Sequence, residues 1–349
     1  MTERAPNPPR RPRAVDVAAA AEVSTATVSR VFNNPEKVAP AIRDRVLSAA
    51  RAMGWMPHAA GSALARRRTS IVGAVIPTLD NEIFAAQVGA MQTAFAERGI
   101  TLLLSCFNYS QDQAFSDVQA MLARGVEGLA IVGESHKPDL FAVIAARAIP
   151  YVVTYSHRPD SPHACVGFDN QEAFERLTRR LLDLGHRDFG VIIQPTADND
   201  RVQARLRGIR AALAEQGLAI RPQRLFEGAW SIDFGRRSLR AMLEAAVRSG
   251  PRPTAIICGN DHLAIGAVLE AQAMGLRVPE DLSITGFDDL AISRHVAPPL
   301  TTLHIDNREI GRLAADYLLA RLDGLDPPPP PPLLPDLIER GTTGPAPAA

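Results

Sequence analysis

A chain of 349 residues with 46% hydrophobic and 22% charged side chains has an ordinary globular composition, and its length exceeds the roughly 100–200 residues of one domain. The formal net charge of zero hides a division: 12 Lys and Arg stand against 5 Asp and Glu up to Arg68, and 26 against 33 beyond it, so the front suits an anionic partner. Cys106, Cys165 and Cys258 are odd in number and form no CxxC pair, which argues against a disulfide framework or a zinc site; they read as buried thiols. There is no apolar signal core and no run near ~18 apolar residues, so a cytoplasmic protein without a membrane span is expected.

Residues 1–13, rich in Pro and Arg and lacking an apolar face, are expected to form a disordered arm. Residues 14–57 read as a helical headpiece. A first helix over Val15–Ala21, a turn at Glu22-Val23 and a second helix over Ser24–Phe32 follow from the apolar spacing, with Ser24 suited to cap the second helix. Val17, Ala21, Val28 and Val31 supply small contacts that let two short helices cross closely. This is helix-turn-helix geometry, in which the start of the second helix meets base edges in the major groove. Arg30 there can bind guanine through two bonds and Thr25 offers a hydroxyl or methyl. Ser24 and Thr27 suit phosphate oxygens, and Ala26 and Ser29 complete that end of the helix. A surface helix of a three-helix core with no nucleic-acid role would share this pattern.

The Ala-rich helical stretch continues to about Arg51 and ends at Gly54 and Pro57. In the next segment, 58–69, Ala59, Ala60, Ala63, Leu64 and Ala65 favour helix, but about ten residues are too few to stay helical alone in water. A flexible linker carrying Arg66–Arg68 is the plain alternative.

From residue 70 strand-like runs alternate with helical ones. The strands are expected at 70–77, 100–107, 128–133, 150–156, 189–193, 254–260 and 283–289. Between the first two, Phe84, Val88, Met91 and Phe95 recur on one helical face. The alternation predicts parallel, doubly wound sheets, and its restart near Val166–Asp169 predicts two lobes with a cleft between them. The first lobe is expected over about 70–168 and 301–325, the second over about 169–300 and 326–349. The tail opens with six prolines, which cannot continue a helix, and ends with LIERGTT as a plausible last strand. The missing leucine heptads favour a dimer over a tetramer. No GxGxxG or GxxxxGK[ST] is present, and no motif pairs a nucleophile with a base, so an enzyme is not expected.

DVAxxAxVSxxTVSRVxN, followed by RxxVLxxAxxxGWxP, resembles the headpiece of the LacI/GalR family of bacterial repressors. IVGAVIPTLDNEIFA, GLAIVG, VGFDN, LGHR, RLRGIRAAL, CGNDHLAIGA, SITGFDD and PPLTTL then follow in family order. Only the first dozen residues and the proline run lack a counterpart. Three positions depart from the pattern: Glu22 stands where Gly is frequent, Ala39 replaces a Ser or Thr with Pro40 in partial compensation, and His58 takes the place of Asn.

The resemblance implies an all-α DNA-binding headpiece joined to a core like the periplasmic binding proteins. It implies that 58–69 is a hinge that folds on operator DNA, with His58 at the backbone and Leu64 wedged into the minor groove. In the cleft it places Arg205 and Asp288 on a small-molecule effector, with Asn260, Asp261, Asn81, Phe84, Asp169 and Trp230 as the wall. Three have a plainer reading: Asn81 a helix cap, Asp169 a brace between lobes, Trp230 core. His186 and Arg187 are expected to shape a turn. The function implied is a homodimeric, sequence-specific transcriptional regulator of a carbohydrate or sugar-acid operon, with no cofactor or metal. VGFDN and PTLDNEIFA look most like the gluconate-operon branch. A sugar-binding receptor, or a regulator that needs a nucleobase-type corepressor, is the alternative.

Overall fold

The computed structural model describes residues 10–56 and 68–348. Contacts divide the chain into Met1–Ser70 and Ile71–Ala349. The start of the expected arm, and His58 and Leu64 of the expected hinge, lie outside the described residues.

In the first unit helices α1 (Ala14–Ala20), α2 (Thr25–Asn33) and α3 (Pro40–Ala52) form where local chemistry closes their ends. The Asp16 carboxylate accepts from the Arg13 N–H at 2.7 Å, and Ser24 Oγ accepts from the Thr27 N–H at 3.1 Å. Helix α3 starts at Pro40 without a side-chain cap from Ala39. Glu22 occupies the left-handed region at φ 52°, so the tight turn that glycine would ease is made by a glutamate. Val17, Val28 and Val46 are fully buried where the three helices meet, and Phe32 meets Trp55 edge-on at 5.4 Å.

In the second unit the first sheet contains β1 (Ile71–Ile76), β2 (Thr101–Cys106), β3 (Gly128–Val132), β4 (Tyr151–Thr154) and β5 (Cys165–Val166). They are parallel, in the order β2-β1-β3-β4-β5. The second contains β6 (Phe189–Ile193), β7 (Leu225–Glu227), β8 (Ala255–Cys258), β9 (Ser283–Asp288), β10 (Thr301–His304) and β11 (Asp336–Ile338). Its order is β11-β10-β9-β8-β6-β7, and only β11 runs antiparallel. The helices between strands are α4 (Glu82–Glu97), α5 (Gln111–Ala123), α6 (Pro138–Ala145), α7 (Asn170–Asp183), α8 (Asp200–Ala214), α9 (Ile232–Ser249), α10 (Asp261–Ala273) and α11 (Asn307–Leu322). Phe84, Met91 and Phe95 of α4 are buried, as their spacing predicts.

One lobe boundary is corrected. Residues 301–304 were expected in the first lobe, but β10 pairs with β9, Leu303 opposite Phe287, so the chain leaves the second sheet only at Ile305-Asp306. Helix α11 then packs on α4 and returns to the first sheet. The last strand also shifts: it covers Asp336–Ile338, and Glu339 onwards continues without strand pairing while Thr342 Oγ1 donates to the Ile284 carbonyl. Cys165 and Cys258 are buried, whereas Cys106 is half-buried.

Helices α7 and α8 touch through Gly208: a Cβ there would collide with the Gln171 carbonyl. This close crossing fixes the direction of α8, which carries Arg201 and Arg205. In both sheets the chain order reverses beside the first strand, between β1 and β3 and between β6 and β8. At such switch points the loops diverge and leave a crevice at the C-terminal strand ends, here at Thr78, Gly133, Gln194 and Gly259.

Candidate functional site

At the start of α2, Thr25, Ala26, Ser29 and Arg30 are exposed. Ser24 and Thr27 are partly engaged with one another, their hydroxyls 3.0 Å apart, while Ser24 also caps the helix. Ser29 Oγ accepts from Asn33 Nδ2 at 3.1 Å. Arg30 is therefore the long cationic side chain on this surface.

The crevice of the second unit is organised by Arg205. Its Nε donates to Asn170 Oδ1 and its Nη1 to the Gly259 carbonyl, both at 2.9 Å. Its guanidinium carbon stands 3.9 Å from the Phe287 ring centroid and 5.6 Å from that of Phe174. Burial pulls its pKa down to about 10, against the opposing pull of Asp288. The Asp288 carboxyl is itself held well above the usual carboxylate range, by burial first, with Arg205 opposing and Asp261 and Glu82 adding repulsion. Asp288 adopts φ 111° at the end of β9. A cation and an acid thus share a buried site, each destabilised in its charged form.

Asn170 extends this centre across the lobes, donating through Nδ2 to the Tyr155 carbonyl at 2.9 Å. The Tyr155 hydroxyl donates to the Ile83 carbonyl at 3.0 Å, and its ring meets Phe84 edge-on at 5.2 Å. A second bridge runs from the Ser135 N–H to Asp200 Oδ1 at 3.3 Å, and the same oxygen pairs with Arg201. A cavity of about 490 Å³ opens beside these bridges, bordered by Ser135, Arg158, Asp169, Asn170, Asp200 and Arg201. Another, of about 610 Å³, lies against Glu82, Asp288, Asp289, His304 and Asn307. Both fall in the range of small-molecule sites.

Phe84, Arg205 and Asp288 gather at this centre. Asn260 is fully buried; its Oδ1 accepts from the Leu263 N–H at 2.9 Å, while its Nδ2 finds no partner among the described residues. Gln194 Oε1, at the end of β6, is likewise unpartnered, so the switch point holds one spare donor and one spare acceptor. Trp230 is half-buried and meets His262 edge-on at 5.5 Å. Asn81 caps α4 through a bond from the Ile83 N–H, and Asp169 caps α7 through bonds from the Gln171 and Glu172 N–H groups.

Asp261 requires correction. It was expected to face the cleft, yet its carboxylate accepts from the Leu290 N–H and from the Ser293 and Thr302 hydroxyls, at 2.8, 2.6 and 2.6 Å. Those bonds use its lone pairs inside the second lobe. His186 is buried between Thr254, Ser283 and the Gly344 carbonyl, and Arg187 bonds the carbonyls of Leu182 and His186, as a turn-shaping pair should.

Sequence reasoning missed Asn170, Tyr155, Asp200 and Arg201. Asn170 lies inside the quoted VGFDN, so its signal was present; Arg201 had none, since its position depends on α8 facing the first lobe. Among the described residues no group of His, Cys, Asp and Glu could hold a metal, and no helix is long and apolar enough to cross a membrane.

Comparison with known proteins agrees with this geometry. The profile of bacterial regulatory proteins of the lacI family matches residues 15–58, and that of the periplasmic binding protein-like domain matches residues 178–343. The chain is 30% identical over 329 residues to the HTH-type transcriptional repressor CytR of Escherichia coli strain K12, covering 94% of this chain and 95% of the relative. It is 29% identical over 315 residues to the HTH-type transcriptional regulator GntR of the same strain, covering 90% and 93%. Among solved structures, a LacI-family transcriptional regulator from Silicibacter pomeroyi superposes with a TM-score of 0.86 at 26% identity, covering 95% of this chain and 98% of that one. The lac repressor dimer bound to operator and the anti-inducer ONPF gives 0.83 at 27%, covering 96% and 100%. Helix-turn-helix headpiece, paired parallel sheets and full-length likeness to named regulators together place the protein: the chain belongs to the LacI family of bacterial regulatory proteins.

Proposed function

We propose that the protein is a cytoplasmic, homodimeric transcriptional repressor that binds an operator through residues 14–57 and is controlled by a small polar effector held between its lobes. The observation that carries the reading is the bonded series Tyr155, Asn170, Arg205, Gly259, which joins the first lobe to the floor of the second. A ligand contacting Arg205 and Asp288 from this crevice would change how strongly the lobes hold one another, the differential interaction that allosteric control requires. The exposed Thr25, Ala26, Ser29 and Arg30 would read bases. Residues 58–69 would be the hinge, with Leu64 as wedge and His58 at the DNA backbone. The likeness to a repressor dimer bound to operator supports both dimer and target.

The effector is proposed to be a sugar or sugar acid. Spare donor and acceptor groups at Asn260 and Gln194 suit hydroxyls, and a half-buried Trp230 suits the apolar face of a sugar ring. A gel-shift assay with duplexes from upstream of its own and neighbouring genes tests the core of this reading. It predicts a complex that weakens steeply with salt and is weakened further by Leu64→Ala. If none of these duplexes is retarded at low salt, the reading fails.

A further inference from the structure

The turn that presents Asp288 is strained at two successive residues, with φ 111° at Asp288 and 50° at Asp289. Neither is glycine, and such backbone survives only where its surroundings over-determine it. Two sets of bonds do so. From within the lobe, Asp261 holds the Leu290 N–H, and Thr302 Oγ1 accepts from the Asp289 N–H at 3.4 Å. From the tail, Arg340 Nη2 donates to Asp289 Oδ1 at 2.6 Å while its Nη1 donates to the Leu300 carbonyl at 2.8 Å. The Arg340 backbone N–H adds a bond to Thr301 Oγ1 at 2.9 Å.

The other cations around Asp289 are more open. His304 Nδ1 lies 3.2 Å from Asp289 Oδ2 and Arg294 3.6 Å from it, but their side chains are 43% and 57% exposed, against 15% for Arg340 and 6% for Asp289. The enclosed Arg340–Asp289 pair is therefore the rigid one, because solvent screens the others. Its location also matters. His304 ends β10 just before the chain crosses to α11, and Arg340 follows β11, which the chain reaches from α11 through the six prolines. Two of the three connections between the lobes thus end on the residue beside Asp288.

We propose that Arg340, acting through Asp289, is a positioning residue for effector recognition. The pair holds the 288–289 backbone in the form that keeps the Asp288 carboxyl beside Arg205, and its attachment to both later crossovers makes that aim depend on lobe arrangement. This rests on the reading of Asp288 as an effector-binding group.

The test uses the full chain and the variants Arg340→Gln, Arg340→Lys, Asp289→Asn, the Arg340→Gln/Asp289→Asn double and Asp288→Asn. Hydrogen–deuterium exchange of the unliganded protein reads the amides of Asp289 and Leu290. Calorimetry reads binding of whichever of D-gluconate, D-glucose, D-ribose or cellobiose the unmodified protein takes up. Arg340→Gln and Asp289→Asn should each speed exchange at these amides at least about tenfold and weaken binding at least about tenfold, and the double should do no more than either single, as for groups that act as one unit. Arg340→Lys keeps the charge but loses the fork, so it should fall between. Unchanged exchange at 289–290, acceleration spread evenly over β8 to β11, or full binding despite a loosened turn would each overturn the proposal. Should Asp288→Asn bind as the unmodified protein does, the effector reading of Asp288 fails instead, and the exchange result separates the two failures.

Discussion

The guanidinium of Arg205 lies 3.9 Å from the ring centroid of Phe287, the residue next to Asp288, so the cation is pinned by the strand that carries its acidic neighbour. Two directed bonds, to Asn170 and Gly259, use its planar fork, which a lysine cannot reproduce. Arg205→Lys should therefore weaken effector binding by at least about tenfold, about 1.4 kcal/mol. Operator affinity without effector should change as well, because the same two bonds help to join the lobes. Titration calorimetry and gel shift on one preparation read both.

The left-handed Glu22 makes a prediction about the headpiece alone. Glycine at this φ of 52° carries no Cβ strain, although it loosens the unfolded chain. Glu22→Gly is expected to stabilise the headpiece by about 0.5–1 kcal/mol, the remainder of those opposing effects. A rise in the midpoint of its thermal transition would show this; a fall would mean that the Glu22 side chain contributes something its geometry does not reveal.

Gly208 allows α7 and α8 to touch through backbone. Adding one methyl must push the Gln171 carbonyl away, an overpacking of a kind that costs about 1–3 kcal/mol. Gly208→Ala should lower the urea midpoint of the core accordingly, and it should also weaken effector binding because α8 carries Arg205. Retained stability and binding would show that the two helices separate freely.

Burial raises Asp261 from 3.8 to about 6 despite bonds from Ser293, Thr302 and Leu290 that favour the charged form. The folded protein then holds this proton more tightly than the unfolded chain. The stability it contributes is fully present below about pH 4 and declines as pH rises through about 6. Asp261→Asn should remove that decline, so the stability difference between variant and unmodified protein should shift in the variant's favour from about pH 4 to about pH 7. Denaturant midpoints across this range provide the measurement, and a difference independent of pH would contradict it.

On DNA, Arg30 is expected to contribute through a base edge and not only through charge. Arg30→Ala should cost about 1–3 kcal/mol on the preferred operator and relax discrimination at one base pair. Equal losses on all duplexes would assign Arg30 to the phosphates.

Much of the architecture was legible because it is written in short-range patterns. Ser24 and Pro40 mark helix starts through bonds they make or omit locally, and buried parallel strands appear as continuous apolar runs. The strands that escaped notice, β5, β7 and β10, have two to four residues, too few for any period to stand out. Within the site, Asn81 read as a ligand or a helix cap and Asp169 as a ligand or a brace between lobes, since a side-chain oxygen serves any of these purposes. In the folded chain one oxygen of each accepts from helix-start N–H groups, and Asp169 also borders the cavity beside Arg201.

By itself the sequence determined the helix-turn-helix, the alternation of strand and helix and the restart near Val166, and it singled out Arg205 and Asp288 as candidates, because each is encoded in neighbouring residues or in an ordered series of motifs. Only the tertiary structure decided that β10 belongs to the second sheet, that Asp261 is spent on Leu290, Ser293 and Thr302, and that Arg340 grips Asp289. Those partners lie 16 to 51 residues apart along the chain. A hydrogen bond depends on distance and angle in space, and over such separations these are fixed by how strands are ordered and lobes are crossed, which no local pattern records.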